Sequence, residues 1–229
     1  MADPTLWTQW QLADSAFPAG GFAHAAGLEA AWKAGFIPDE AALVAALHAV
    51  LRQTAAGTLP LLRAAVDPAA DLVAFERLNA RAESSLLSDV ARDASHRQGE
   101  ALAAAGRRVF AGLPAGLFAA ERAPDDDAPS PPLHLGPTFG RLAAALGLTP
   151  EAAAELFLFA ALRGALSAAV RLGLTGPLRS QALLQQLGPH ARRAAAEAGC
   201  HPDDVAQPAP LLELLQAQQG RLYSRLFQS

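Results

Sequence analysis

The chain has 229 residues, of which 52% are hydrophobic, 6% aromatic and 17% charged, with a net charge of -4 and a pI of about 5.8. A chain of this length buries roughly 70–75% of its unfolded surface, so it needs no staples, and its weak negative charge offers no field for nucleic acid. The single cysteine, Cys200, excludes an internal disulfide and fits a reducing compartment.

The apolar fraction is mainly alanine and leucine, a composition that favours helices. No basic region followed by an apolar core marks the N-terminus, and the longest apolar stretch, around Ala152 to Val170, is interrupted by Glu155, Arg163 and Ser167. It therefore falls short of the ~18 uncharged apolar residues of a membrane span. The expectation is a soluble, cytoplasmic protein with no membrane or nucleic-acid partner.

Leu6, Trp7, Trp10 and Ala13 recur at helical spacing behind Thr5, a suitable N-cap, and predict a short first helix. Phe17-Pro18-Ala19-Gly20-Gly21 then forms a turn, and a second helix is expected from about Ala23 to Ala34, stopped by Gly35. In it Glu29 and Lys33 form an i,i+4 pair. Pro38-Asp39-Glu40 opens a third helix with Leu43, Leu47, Val50, Leu51 and Thr54 on one face and His48 beside them. Further helices are expected over Leu59 to Val66, Asp71 to Glu83 and Ser88 to Phe110.

The last of these carries Arg92, Asp93, Ser95, His96, Arg97, Gln98 and Glu100 in close succession, which reads as a solvated face. Its small residues, Ala91, Ala94, Gly99, Ala101 and Ala105, also suit a close helix–helix or subunit contact. Between Gly112 and Gly136 regular structure gives way to prolines and Asp125-Asp126-Asp127, so the stretch at about 121–134 is expected to be a flexible loop.

Helices resume over Thr138 to Leu146 and then, behind Thr149-Pro150-Glu151, run to Leu172 with Leu156, Phe159, Leu166 and Val170 on one face. Gly176-Pro177 starts the next, which Gly188-Pro189 is expected to end, and a short helix follows over Ala191 to Ala198. A leucine-rich segment from Pro210 to Leu226 closes the chain. No stretch alternates like a strand. The fold class is all-α: a single helical domain, residues 1–229, of about ten mainly antiparallel helices.

No catalytic constellation is present. Gly20-Gly21 lacks the lysine of a P-loop and the preceding strand of a dinucleotide fingerprint, and the six histidines show no i,i+4 pair. Cys200-His201 supplies two adjacent ligand types where a metal site of real affinity needs three or four. No cofactor or metal ligand set is assigned. Tyr223, Arg225 and Phe227 bring interface-favoured residue types within five positions, although the same terminal leucines equally suit closing the protein's own core. An acid–base pocket with His24 beside Gly20-Gly21 is the alternative.

Two separated stretches resemble one family. The run Leu12-Ala13-Asp14-Ser15-Ala16-Phe17-Pro18-Ala19-Gly20-Gly21-Phe22-Ala23-His24-Ala25-Ala26-Gly27-Leu28-Glu29-Ala30-Ala31 resembles the N-terminal signature of the urease accessory protein UreF family, and Leu222-Tyr223-Ser224-Arg225-Leu226-Phe227-Gln228-Ser229 resembles its C-terminal signature. Ser167 to Gly173 and Gly176-Pro177-Leu178 are similar to its central helix and the turn after it. Ala23-His24 stands where many bacterial members have Ser-Tyr, and is closer to plant-type members.

The resemblance implies an all-helical homodimer without an enzymatic reaction, which binds UreD (also called UreH), recruits and regulates the GTPase UreG, and takes part in nickel delivery to apo-urease. It also implies that Gly20, Gly21, His24, Gly27 and Glu29 belong to a surface near the GTPase, and that Tyr223, Arg225, Phe227 and Ser229 belong to a tail that docks on UreD.

Overall fold

A computed structural model describes residues 4–19, 24–67, 69–118, 132–222, 224 and 226–228, and among them ten α-helices and no strand occur. The helices are α1 (Leu6–Ala13), α2 (Leu28–Lys33), α3 (Glu40–Gly57), α4 (Leu59–Val66), α5 (Leu72–Ser85), α6 (Asp89–Val109), α7 (Leu135–Ala145), α8 (Pro150–Arg171), α9 (Pro177–Glu197) and α10 (Pro210–Gln218). Short 3-10 turns occupy Pro202–Asp204 and Gln219–Arg221. The all-helical expectation holds. Gly20, Gly21, Tyr223, Arg225, Ser229 and the acidic centre of the Pro/Asp-rich loop lie outside the described residues.

Side-chain caps explain four of the ten helix starts among the described residues. The Asp39, Asp71, Ser88 and Thr149 side chains accept from the backbone N–H groups of Ala42, Ala74, Ala91 and Ala152, so α3, α5, α6 and α8 begin where their caps dictate. Thr5 departs from this pattern: it makes no cap bond, and its hydroxyl oxygen accepts from Gln9 Nε2 at 2.8 Å.

Three boundaries differ from the sequence reading. The second helix begins at Leu28, not Ala23, because Ala26 (φ 51°) and Gly27 (φ 80°) are left-handed and no α-helix passes through them. The seventh begins three residues before Thr138, at Leu135, with Pro137 in the first turn, where its missing N–H costs nothing. Residues 177–197 form one helix, not two, with Pro189 inside it. The buried row Leu183, Leu187, Ala191 and Ala195 repeats every four residues across the proline, so packing against α8 carries the helix past its breaker.

α8 is the centre. Ala153, Ala154, Leu158, Leu162, Ala165, Leu166 and Ala169 are all at most 3% exposed, and α3, α4, α7 and α9 pack on it. Its buried row differs from the expected face: Leu166 belongs to it, whereas Phe159 points outward. The helix is long and apolar enough to cross a bilayer, with a mean hydropathy of 1.6, but here it is the spine of the core.

Small residues set the closest approaches. A Cβ on Gly140 of α7 would stand 2.2 Å from the Leu62 carbonyl oxygen of α4, and one on Gly99 of α6 would stand 2.1 Å from that of Leu133. The glycine and alanine face of α6 thus serves packing against α7 and the segment leading into it. At the far end of α9, Arg63 of α4 donates to the carbonyls of Ala195 and Ala198, both at 2.6 Å, and so caps the helix C-terminus.

Candidate functional site

The two signature stretches meet. Gly27 is the left-handed residue that turns the chain into α2, and a Cβ there would stand 3.2 Å from Leu212 Cδ1 and 3.3 Å from the Leu212 carbonyl oxygen of α10. Glycine is therefore required twice, by its backbone angle and by the neighbouring helix. The close approach lays α2 against α10 and brings the terminal segment over Glu29.

Glu29 is 1% exposed. Its Oε1 accepts from the Leu226 N–H at 2.8 Å, and its Oε2 accepts from the Phe227 N–H at 3.0 Å and from Gln219 Nε2 at 2.7 Å. Lys33 Nζ lies 3.2 Å from Oε1 and also donates to the Ser224 carbonyl. Burial alone would raise the carboxyl pKa, but the bonds from Leu226, Gln219, Phe227 and Lys33 outweigh it, and the group titrates below its ordinary value. The i,i+4 pair with Lys33 is thus one part of a buried network, in contrast to an exposed surface pair. Charge-assisted bonds of this kind are the strong ones.

Phe227 is 2% exposed and lies under the Arg171 guanidinium, 4.0 Å from ring centroid to Cζ. The adjacent Leu226 is 59% exposed. The terminal leucines divide likewise: Leu212 is buried, Leu215 half-buried, and Leu211 and Leu214 exposed. Both readings of the terminus apply, to different side chains of the same segment.

His24 precedes α2 in a non-helical stretch and is half-buried. Burial, and then the Arg97 charge, hold its imidazole below the ordinary pKa. It lines a cavity of about 700 Å³ together with Phe17, Pro18, Phe157, Arg163 and Arg171. His24 and Glu29 therefore do not share one helical face: the first borders a cavity, the second is sealed inside.

A second constellation joins residues remote in sequence. Glu83 near the end of α5, His96 on α6 and His134 just before α7 bring one side-chain atom each to a common point. His96 Nε2 lies 2.9 Å from His134 Nε2, Glu83 Oε2 lies 2.9 Å from His134 Nε2, and it lies 2.8 Å from His96 Nε2. The close approach at Gly99 makes this possible, since it drops residues 133–134 onto α6.

His134 is completely buried, its N–H donates to Asn79 Oδ1 at 2.7 Å, and its Nδ1 lies 3.0 Å from Ser95 Oγ. Burial first, then His96, lowers its pKa to about 4, against the opposing pull of Glu83. Sequence reading placed His96 on a solvated face and gave His134 no role. Each is a lone histidine with no local partner spacing, so the sequence holds no signal for the cluster.

Elsewhere, His48 and His190 meet edge to face at 4.6 Å, consistent with a packed histidine. Cys200 is exposed, its sulfur 3.7 Å from Arg63 Nη1, and His201 caps the following 3-10 turn through Asp203 N–H. No third ligand type joins that pair among the described residues. On α1, Trp7 and Trp10 are 78% and 55% exposed and pack edge to face at 5.3 Å.

A sequence model of the UreF family matches residues 37–188. Over nearly the whole chain, similarity extends to named proteins. Urease accessory protein F of Oryza sativa subsp. indica is 32% identical over 99% of this chain and 86% of its own length. The Arabidopsis thaliana protein of the same name is 32% identical over 96% and 91%. Urease accessory protein UreF of Mycobacterium sp. (strain JLS) is 31% identical over 98% and 99%.

Proposed function

The chain belongs to the UreF family of urease accessory proteins, and we propose that within urease maturation it works as a homodimeric helical adaptor. One surface receives UreD/UreH, another recruits and regulates the GTPase UreG, and the assembly delivers nickel to apo-urease in the cytoplasm. Residues 1–229 act as one domain, with the stretch from Pro124 to Pro132 an insertion. Members of the family are accessory factors rather than enzymes, which displaces the reading of His24 as an acid–base residue.

The observation that supports a docking tail is the split between Phe227 and Leu226. Phe227 is locked inside by the Glu29 network, while its neighbour faces outward. An apolar side chain held out from an anchored backbone suits contact with a second protein: the fixed backbone has already lost its entropy, so docking does not pay it again. The exposed Trp7 and Trp10 supply apolar aromatic surface of the kind interfaces favour.

Leu226→Gln tests this without touching the internal contacts. The expected result is loss of co-purification with UreD/UreH and of urease activation in a reconstituted system, with helical circular dichroism unchanged. A complex that persists at wild-type yield overturns the tail assignment.

A further inference from the structure

We propose that Glu83, His96 and His134 form a binding site for a divalent first-row transition-metal ion, coordinated through Glu83 Oε2, His96 Nε2 and His134 Nε2. The site does not rest on the partner contacts discussed above, and it adjoins the cavity that His24 borders, since Ser95, which holds the His134 ring, lines that cavity too.

With Glu83 as a carboxylate, protons alone do not satisfy this triangle. Its three edges are 2.9, 2.9 and 2.8 Å, each short enough to demand an attractive contact. A carboxylate oxygen only accepts. If both imidazoles donate to Glu83, two N–H groups face each other along the His96–His134 edge. If one imidazole accepts from the other, its bare nitrogen faces the carboxylate oxygen. One edge is repulsive in either arrangement, whereas a cation above the triangle attracts all three atoms.

The dimensions select the class of ion. Ligand atoms at about 2.0–2.1 Å from a metal stand ~2.9 Å apart on one face of an octahedron and ~3.3 Å apart in a tetrahedron. The observed edges match the octahedral face. Two imidazoles and one carboxylate suit zinc, nickel, cobalt or iron better than the all-oxygen preference of magnesium or calcium.

The surroundings are arranged as such a ligand set needs. With Nε2 on the metal, His134 carries its proton on Nδ1 and donates it to Ser95 Oγ at 3.0 Å, and the same oxygen accepts the Leu135 N–H at 3.2 Å. This fixes ring orientation and tautomer. The second Glu83 oxygen is 3.7 Å from Arg92 Nε, which leaves Oε2 to the histidines. The His134 side chain is fully buried, while those of His96 and Glu83 are 28% and 42% exposed. One side of the site is therefore open to solvent, leaving positions for water or an exchanging ligand, in contrast to a closed structural centre.

The test uses the full chain, freed of any polyhistidine tag and of metal. Cobalt(II) titration is followed by visible d–d absorption, and nickel(II) and zinc(II) titrations by calorimetry. One equivalent per chain is expected for the wild type, for Cys200→Ser/His201→Ala and for His48→Ala. In His96→Ala and in Glu83→Gln, both at half-exposed side chains, affinity should fall at least tenfold with helical circular dichroism retained. Wild-type affinity in a Glu83→Gln/His96→Ala double variant, loss of binding in Cys200→Ser/His201→Ala, or no stoichiometric binding of any of the three ions by the wild type overturns the proposal.

Discussion

Glu29 accepts the backbone N–H of Phe227 at 3.0 Å, across 198 positions of sequence. Three further donors converge on the same buried carboxylate. Removing it strands buried donors, each costing about 1–3 kcal/mol. Glu29→Ala should therefore destabilise the fold by about 3 kcal/mol in urea denaturation and speed hydrogen exchange at residues 226–227 ahead of that in α8. Unchanged exchange at the terminus would mean that the carboxylate does not hold it.

The same carboxyl gives stability a pH dependence of definite sign. Its pKa is lower folded than unfolded, so its contribution is fully present above the unfolded value and is lost as pH falls through the depressed folded one. Acid titration of unfolding free energy should show this loss in the wild type and a shallower slope for Glu29→Gln below the ordinary carboxylate range. Equal slopes would assign acid sensitivity elsewhere.

Gly27 and Gly35 both have φ near 80°, but a Cβ on Gly35 meets nothing within 4 Å while one on Gly27 presses on Leu212. Gly35→Ala should cost about 1 kcal/mol, the left-handed penalty alone. Gly27→Ala should cost about 1 kcal/mol more, because a backbone carbonyl cannot move aside as a flexible side chain can. Chemical denaturation of the two variants side by side isolates the packing contribution.

Gly99→Ala sets a Cβ against the Leu133 carbonyl. The segment entering α7 must shift, and destabilisation of about 3 kcal/mol is expected. Chemical shifts of the His134 ring should change more than those of the distant His190. A variant of wild-type stability would show that the segment at Leu133 yields to the added methyl group.

Pro189→Ala should stabilise the protein by about 1 kcal/mol, since a proline within a helix interior forfeits a hydrogen bond and crowds the preceding turn. A thermal unfolding midpoint equal to or below the wild type would show that the helix is already bent to fit the ring.

What could be read from the sequence was what neighbours in sequence decide. Asp39, Asp71, Ser88 and Thr149 announced their helices because a cap acts within three residues. Pro189 misled because breaker rules are local and packing on α8 overrides them. Phe17 to Ala31 stood out as special, but its chemistry did not: Glu29 resembled one half of a surface pair until the distant terminus supplied its donors. The Glu83–His96–His134 triangle was invisible because its members are 38 and 51 positions from one another through His134, and only the approach at Gly99 closes the gap.

The clasp at Glu29 also has a tempo. Synthesis at ~5–20 residues per second separates Glu29 from Phe227, 198 positions later, by roughly 10–40 s. During that interval α2 has emerged with Lys33 already beside its carboxylate, while the Gln219, Leu226 and Phe227 donors do not yet exist. The N-terminal signature is thus among the first segments made, and its buried carboxylate gains its full set of donors only when the terminal segment arrives. A chain halted before residue 226 keeps Lys33 beside Glu29 but lacks the Leu226 and Phe227 N–H donors that complete the buried network.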